Sequence, residues 1–211
     1  MKTLLAAALF SFGAVAAAQT PNVYVQDHPL APGGTVVLTM NVGDVKILPT
    51  SGADGVRLEI HTTRSVDQQT IASWVRRFEV AADRATLELQ IPKDREHCVD
   101  CSGGVDVVLY VPERTDLKAD LDVGDLTIRG VEGNKDVHTG VGDVRIAVAH
   151  PAEYGHVETH TRIGDINDFL NQGSGDSGFL GHSEDFTLSG RYHLRASTGI
   201  GDVHISQEGK S

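Results

Sequence analysis

The hexapeptide Val141-Gly142-Asp143-Val144-Arg145-Ile146 is one of five nearly identical copies in this chain of 211 residues. In each copy an aliphatic residue precedes Gly-Asp and another follows it, and four of the five copies add an Ile two positions further on. A short unit that recurs in this way indicates a repeat architecture. The Gly-Asp pairs are Gly43-Asp44, Gly124-Asp125, Gly142-Asp143, Gly164-Asp165 and Gly201-Asp202.

The residues around each pair indicate a strand, a corner and a second strand. Small or aliphatic residues occupy alternate positions before the glycine, as in Val137, Thr139 and Val141, and this alternation predicts that all three face the core. Aliphatic residues then resume at Val144 and Ile146, one position out of phase. Such a slip predicts a corner or bulge, where glycine accepts a positive φ and aspartate hydrogen-bonds the turn backbone.

The spacing of the corners predicts the fold. The last four glycines recur at intervals of about 20 residues, with a final interval of about two such lengths. Coils of that length, each with the same corner, favour an all-β, single-domain β-solenoid. An antiparallel sandwich with regularly spaced turns is the competing architecture. The solenoid is the preferred prediction, because a sandwich gives no reason for one corner to recur.

One segment has helical rather than strand periodicity. Ser65 and Gln68 have the spacing of a capping box. The apolar residues that follow are spaced as on one face of a helix: Ile71, Trp74, Val75 and Phe78. We therefore predict a short helix over residues 66–78 that covers an end or a side of the β structure.

The N-terminus has the features of an export signal. Lys2 precedes an apolar run, Leu4 to Val15, and Ala16-Ala17-Ala18 forms a small-residue cleavage site. Residues 1–18 are predicted to be a signal peptide and residues 19–211 one domain. The sequence after this signal contains no apolar run of about 20 residues, so no membrane span is expected. The predicted location is the periplasm, the cell surface or the extracellular space.

The net charge of the chain limits the classes of molecule that it is expected to bind. The formal net charge is −11, with 29 acidic against 18 basic residues, so the chain is not suited to neutralising phosphates. Nucleic acid and anionic membranes are therefore excluded as expected partners. Aromatic residues make up 5% of the chain, which disfavours stacking platforms for sugars or bases.

Cys98 and Cys101 form a CxxC motif followed by Gly103-Gly104. In an exported protein this spacing favours a local disulfide that closes a loop. Redox activity or zinc binding is the alternative, but a redox CxxC requires a helix N-terminus and a structural zinc site requires a second pair of ligands.

Two further sets of residues are candidate metal ligands. The aspartates of the five corners suggest calcium between stacked coils, although turn capping is the favoured role because calcium requires six or more oxygens. Asp120, His138 and His160 occupy the same position in three copies, on the predicted outward face. If their coils are adjacent, these three side chains form a column that binds zinc or copper weakly. Solvated surface residues are the simpler interpretation.

The run from Val105 to Pro112, through Val123-Gly124-Asp125-Leu126 and on to Val144, resembles the DUF4097 family of adhesin-like bacterial β-strand repeat proteins. The resemblance extends over most of the chain from about Thr35. It implies an exported or surface-associated β-solenoid and brings no catalytic residues with it.

The sequence therefore favours a non-enzymatic, adhesin-like protein that binds or scaffolds in the bacterial envelope. We expect no cofactor, and an unidentified envelope or extracellular protein or glycan as its partner. Nucleophile elbows, phosphate-binding glycine loops and HExxH motifs are absent from the sequence. Two alternatives remain: a carbohydrate-active β-helix enzyme that uses paired carboxylates, and a metal- or redox-responsive envelope protein.

Overall fold

A computed structural model describes residues 22–50, 55–63, 65–92, 104–171 and 181–209. These ranges contain one α-helix, α1 (Gln68–Trp74), and short 3-10 turns at Pro151–Glu153 and Phe169–Asn171. Their strands, in chain order, are β1 (Val23–His28), β2 (Thr35–Val42), β3 (Asp44–Pro49), β4 (Val56–Thr62), β5 (Val75–Ala81), β6 (Arg84–Leu89), β7 (Val105–Val111), β8 (Asp116–Val123), β9 (Leu126–Arg129), β10 (Lys135–Val141), β11 (Val144–Val148), β12 (Tyr154–Ile163), β13 (Ile166–Asp168), β14 (His182–Thr187), β15 (Tyr192–Ile200) and β16 (Val203–Gln207).

The strands form two eight-stranded sheets. Sheet 1 has the order β1-β4-β7-β3-β9-β11-β16-β13, and sheet 2 has the order β14-β12-β15-β10-β8-β2-β6-β5. Central strands pair in parallel, whereas β1, β4, β5 and β14 pair antiparallel towards the sheet ends. The inward faces of both sheets contribute to one hydrophobic core, with fully buried residues such as Leu38, Leu109 and Ile146.

The all-β prediction is confirmed, but the β-solenoid prediction is wrong. The two mixed sheets, with antiparallel strands at both ends of sheet 2 and at one end of sheet 1, indicate a β-sandwich-like fold. A solenoid also requires each coil to stack on the coil before it in the chain. Here β15 lies between β10 and β12, so the last repeat is inserted next to the third. The same corner can recur although the repeats do not stack in the order in which they occur in the sequence, because any two strands in register can pair.

Each Gly-Asp pair carries the chain from a strand of sheet 2 to a strand of sheet 1. The five glycines have φ between +127° and +142°. The corners contact one another directly: the Gly142 amide donates to the carbonyl of Ile200 at 2.8 Å. A Cβ atom on Gly142 would lie 2.1 Å from the carbonyl oxygen of Gly124, closer than any real contact.

The residue before each corner glycine does not face the core in four copies. Val123, Val141, Ile163 and Ile200 are 36–49% exposed, contrary to the alternation in the sequence. The cross-strand pairing of β10 with β15 passes from Thr139 directly to Val141, so regular pairing is interrupted one residue before the aliphatic residue. The corner therefore begins earlier than the glycine, and these side chains turn towards solvent.

The predicted helix is present but shorter. Its N-cap is Asp67, whose carboxylate accepts from the Thr70 amide at 2.8 Å, so the capping residue lies two positions after Ser65. The helix ends at Trp74, and Val75 and Phe78 belong to β5. Val75 is extended because it pairs with Leu89 of β6. Helix α1 contacts β1 and β5, the edge strands of the two sheets at one end of the molecule.

Candidate functional site

A groove of about 260 Å³ lies on the outer face of sheet 2. Side chains from five adjacent strands, β2, β8, β10, β15 and β12, line it because their equivalent positions are in register. Ten of its twelve lining residues are polar or charged, although carbon atoms form most of the exposed surface: Thr35, Asp116, Lys118, Asn134, Lys135, Asp136, His156, Glu158, His193 and Arg195. Such a groove presents aliphatic side-chain surface together with hydrogen-bond donors and acceptors to a ligand.

A row of alternating charge crosses this groove. Its members, on four neighbouring strands, are Lys118, Asp136, Arg195 and Glu158. The Lys118 ammonium lies 3.3 Å from Asp136, and the Arg195 guanidinium lies 3.3 Å from Glu158. Each carboxylate therefore has a cation beside it. Unlike the chain as a whole, the row carries no net charge.

Asn134 holds the end of the groove next to β8. Its backbone amide donates to Asp116 Oδ1 at 2.8 Å, and its side-chain amide donates to both oxygens of that carboxylate. Its side-chain oxygen accepts from the His193 amide at 3.0 Å. One side chain thus connects β8 to the start of β15, which fixes the positions of Asp116 and His193.

A buried polar network lies beneath the groove. The Lys135 ammonium donates to the Tyr154 hydroxyl and to the carbonyl of Gly133, and the Tyr154 hydroxyl donates to Glu132 Oε2 at 3.0 Å. Glu132 Oε1 accepts from the backbone amides of Ala149 and His150. Burial lowers the pKa of Lys135 to about 8, although Glu132 opposes the shift, and burial likewise raises the pKa of Tyr154.

Three side chains with metal-ligand chemistry, His156, Glu158 and Asp185, meet at the opposite end of the groove, and His193 lies beside them. His156 Nε2 lies 2.9 Å from Glu158 Oε1 and 3.6 Å from Asp185 Oδ1. His193, on the neighbouring strand, has its ring centroid 5.5 Å from that of His156. The hydrogen bond from His156 holds the pKa of Glu158 below its usual range, so this carboxylate is charged at neutral pH.

The structure separates the predicted histidine column. Asp120 and His138 are cross-strand neighbours, but Ser197 of β15 lies between His138 and His160. The Nδ1 atom of His138 is 3.0 Å from the Ser197 hydroxyl. Because β15 is inserted here, the two histidines are two strands apart, about 9.6 Å at normal strand spacing.

The corner aspartates form a hydrogen-bonded ladder. In each step one Oδ1 atom accepts from the backbone amide of the next aspartate, at 2.8–3.0 Å, in the order Asp44, Asp125, Asp143, Asp202 and Asp165. Arg145 also donates to the carboxylates of Asp125 and Asp143. Backbone amides and an arginine therefore satisfy oxygens that the calcium hypothesis would assign to the cation.

Two of the predictions concern residues outside the described ranges. These are the signal peptide, residues 1–18, and the disulfide between Cys98 and Cys101. Within the described residues, no helix is both long and apolar enough to cross a membrane.

Sequence reasoning missed the groove. The one available signal was register: counted back from their corner glycines, His156 and His193 occupy the same position in their copies, and so do Glu158 and Arg195. That signal becomes informative only when the order of the strands is known, since it is the insertion of β15 that makes these residues neighbours.

No family model matches this sequence, and no curated protein matches it significantly. The structure is similar to a proposed cell adhesion protein from Clostridium sporogenes, with a TM-score of 0.55 and 14% identity over 88% of this chain and 100% of that chain. A proposed adhesin from Bacteroides fragilis matches with a TM-score of 0.33 and 9% identity, covering 88% of this chain and 98% of that one. The first match shows a shared fold. The second is too distant to support an argument.

Proposed function

We propose that this protein is an exported, adhesin-like binding protein of the bacterial envelope, related to the DUF4097 family, that recognises a neutral glycan through the groove on sheet 2. The observation that carries the proposal is the row of alternating charge. Each hydroxyl of a sugar both donates and accepts, so it pairs equally well with a cation or with a carboxylate. The fold shared with a proposed cell adhesion protein is compatible with this role.

Anionic ligands fit the groove less well. The chain carries a net charge of −11, and each cation of the row already faces a carboxylate. A phosphate or a uronic acid would have to displace one of those carboxylates and would meet repulsion from the rest of the protein. A neutral ligand avoids both costs.

Glycan binding is tested with an array of neutral and anionic bacterial and host glycans. The test variant is Lys118→Ala/Arg195→Ala, which removes both cations of the row. The control variant is Arg129→Ala, which removes an exposed arginine from sheet 1. We expect the double variant to lose binding about tenfold or more and Arg129→Ala to bind as wild type. Both should fold normally, because exposed ion pairs contribute at most about 1 kcal/mol to stability.

Three results would contradict this proposal. Equal loss in the two variants would place the binding surface elsewhere, and binding restricted to anionic glycans would reject the neutral ligand. Cleavage of the bound glycan would identify an enzyme instead.

Export is tested separately by N-terminal sequencing of the protein secreted by a bacterial host. Gln19 is the expected first residue, and an N-terminus at Met1 would reject the signal peptide.

A further inference from the structure

Three adjacent strands bring imidazole and carboxylate side chains together on the outer face of sheet 2. His156 and Glu158 lie on β12, His193 lies directly opposite His156 on β15, and Asp185 lies directly opposite Glu158 on β14. One ligand atom each of His156, Glu158 and Asp185 lies within 4.8 Å of the other two. The backbone pairing of two parallel strands and one antiparallel strand positions this cluster.

We propose that His156, Glu158 and Asp185 bind a divalent transition-metal ion, with His193 as the fourth ligand, and that zinc is the best-suited ion. The site shares His156, Glu158 and His193 with the groove, but it does not rest on the proposed glycan binding, since metal can be titrated whether or not a ligand of the groove is known. It also differs from the Asp120, His138 and His160 column that the sequence suggested.

The distances are close to those of a tetrahedral site. Zinc binds imidazole nitrogen and carboxylate oxygen at about 2.0–2.2 Å, so two ligand atoms of a tetrahedron are about 3.4 Å apart. The observed separations from His156 Nε2 are 2.9 Å to Glu158 Oε1 and 3.6 Å to Asp185 Oδ1. Both values are within about 0.5 Å of the required length, which small side-chain rotations provide.

The charges around the cluster also suit a cation. Two carboxylates, those of Glu158 and Asp185, face the same imidazole nitrogen, His156 Nε2. Arg195 approaches the other oxygen of the Glu158 carboxylate, Oε2, at 3.3 Å and leaves Oε1 for the metal. This arginine therefore orients the carboxylate, as outer hydrogen-bonding partners of metal ligands commonly do.

The chemical types of the proposed ligands determine which metal ion suits the site. Two imidazoles with two carboxylates match the preference of zinc, and also of copper and nickel, whereas calcium and magnesium prefer sites built entirely from oxygen. A bound ion would connect β14, which pairs only with β12, to two strands of the sheet. It would thus hold this edge strand to β15 as well as to β12.

Calorimetric titration of the chelator-treated protein with zinc alone tests this site. Every sample carries Cys98→Ser/Cys101→Ser so that no thiol contributes. We expect one zinc ion per chain, a higher melting temperature in zinc because the ion binds only the folded state, and no heat with calcium. The variants are His156→Ala, Asp185→Asn and His193→Ala. The matched control is His138→Ala, which removes an exposed histidine from the same face of the sheet.

Each of the three variants should weaken zinc binding by about tenfold or more, and His138→Ala by less than about twofold. Wild-type affinity in His156→Ala or Asp185→Asn would overturn the site, and wild-type affinity in His193→Ala would remove it as the fourth ligand. Equal loss in His138→Ala would show nonspecific binding to surface histidines and also overturn the site. Circular dichroism of each variant confirms folding, and the conservative Asp185→Asn keeps the test valid if an alanine variant unfolds.

Discussion

At the scale of single residues, two separate constraints require glycine at the corners. The backbone adopts a positive φ there, which side chains rarely tolerate, and adjacent corners leave no room for a Cβ atom. The two constraints can be separated experimentally because Gly33 has only the first. Its φ is +83°, but a Cβ atom on it would meet nothing within 4 Å.

We predict that Gly142→Ala destabilises the protein by roughly 3 kcal/mol or more and Gly33→Ala by roughly 1 kcal/mol. The larger loss arises because the new methyl group would contact the carbonyl oxygen of Gly124, which belongs to a rigid backbone. Chemical denaturation gives both free energies of unfolding. Similar losses in the two variants would show that the corners do not depend on close contact.

The buried ammonium of Lys135 makes stability depend on pH. Its pKa falls from 10.5 to about 8 on folding, because burial disfavours the charged form. Between these values the unfolded chain binds a proton that the folded chain does not, so the contribution of this group to stability increases as pH rises. Tyr154, with its raised pKa, remains protonated in the folded state.

We predict that the free energy of unfolding of the wild type, relative to Lys135→Met, increases by about 2 kcal/mol between pH 8 and pH 10. The variant lacks the titrating group, so other ionisations cancel in the difference. Denaturation at several pH values measures this difference in free energy of unfolding. Parallel curves for the two proteins would show that Lys135 has no depressed pKa. Measurements stop near pH 10, where tyrosines of the unfolded chain begin to ionise.

At the scale of elements, periodicity located strands and a helix well but misplaced their ends. The helical spacing of four apolar residues continued to Phe78, yet the helix ends at Trp74. Phe78 is buried in either conformation, so burial could not reveal the change of element. The pairing of Val75 with Leu89 determines that the helix ends at Trp74, and this contact is not local in the sequence.

Trp74 provides a test of packing at this junction. It is 4% exposed, and within the described ranges its indole N–H has no hydrogen-bond partner. We predict that Trp74→Phe changes the free energy of unfolding by less than about 1.5 kcal/mol, since it retains most of the apolar volume and removes an unsatisfied donor. Trp74→Ala should cost about 3–5 kcal/mol because it leaves a cavity. Thermal and urea denaturation measure both free energies of unfolding. A loss in Trp74→Phe above this limit would show that the N–H has a partner.

At the scale of the whole molecule, the two sheets enclose one core. Trp74, the only tryptophan of the chain, lies at the end where α1 contacts both edge strands. The zinc cluster lies on β12, β14 and β15, towards the opposite end of sheet 2. A continuous core between these ends makes partial unfolding unfavourable.

We therefore predict a single cooperative unfolding transition. Tryptophan fluorescence, which reports one end, and far-ultraviolet circular dichroism, which reports all strands, should give the same midpoint in urea. An earlier midpoint by fluorescence would show that the α1 end unfolds independently. Zinc should move both midpoints together if the whole molecule unfolds as one unit.

The sequence by itself determined the all-β class, the presence of one short helix and the positions of the five Gly-Asp pairs between strands. These features depend on local pattern: side-chain alternation, the phase slip at Gly142 and helical spacing around Ile71. Only the tertiary structure decided the order of the strands, the solvent-facing position of Val141 and the meeting of His156, Asp185 and His193. Parallel strands of equal pattern can pair in several orders with similar burial, so the insertion of β15 is not encoded in any one copy. The candidate sites depend on that order, because each combines residues that only cross-strand pairing brings together.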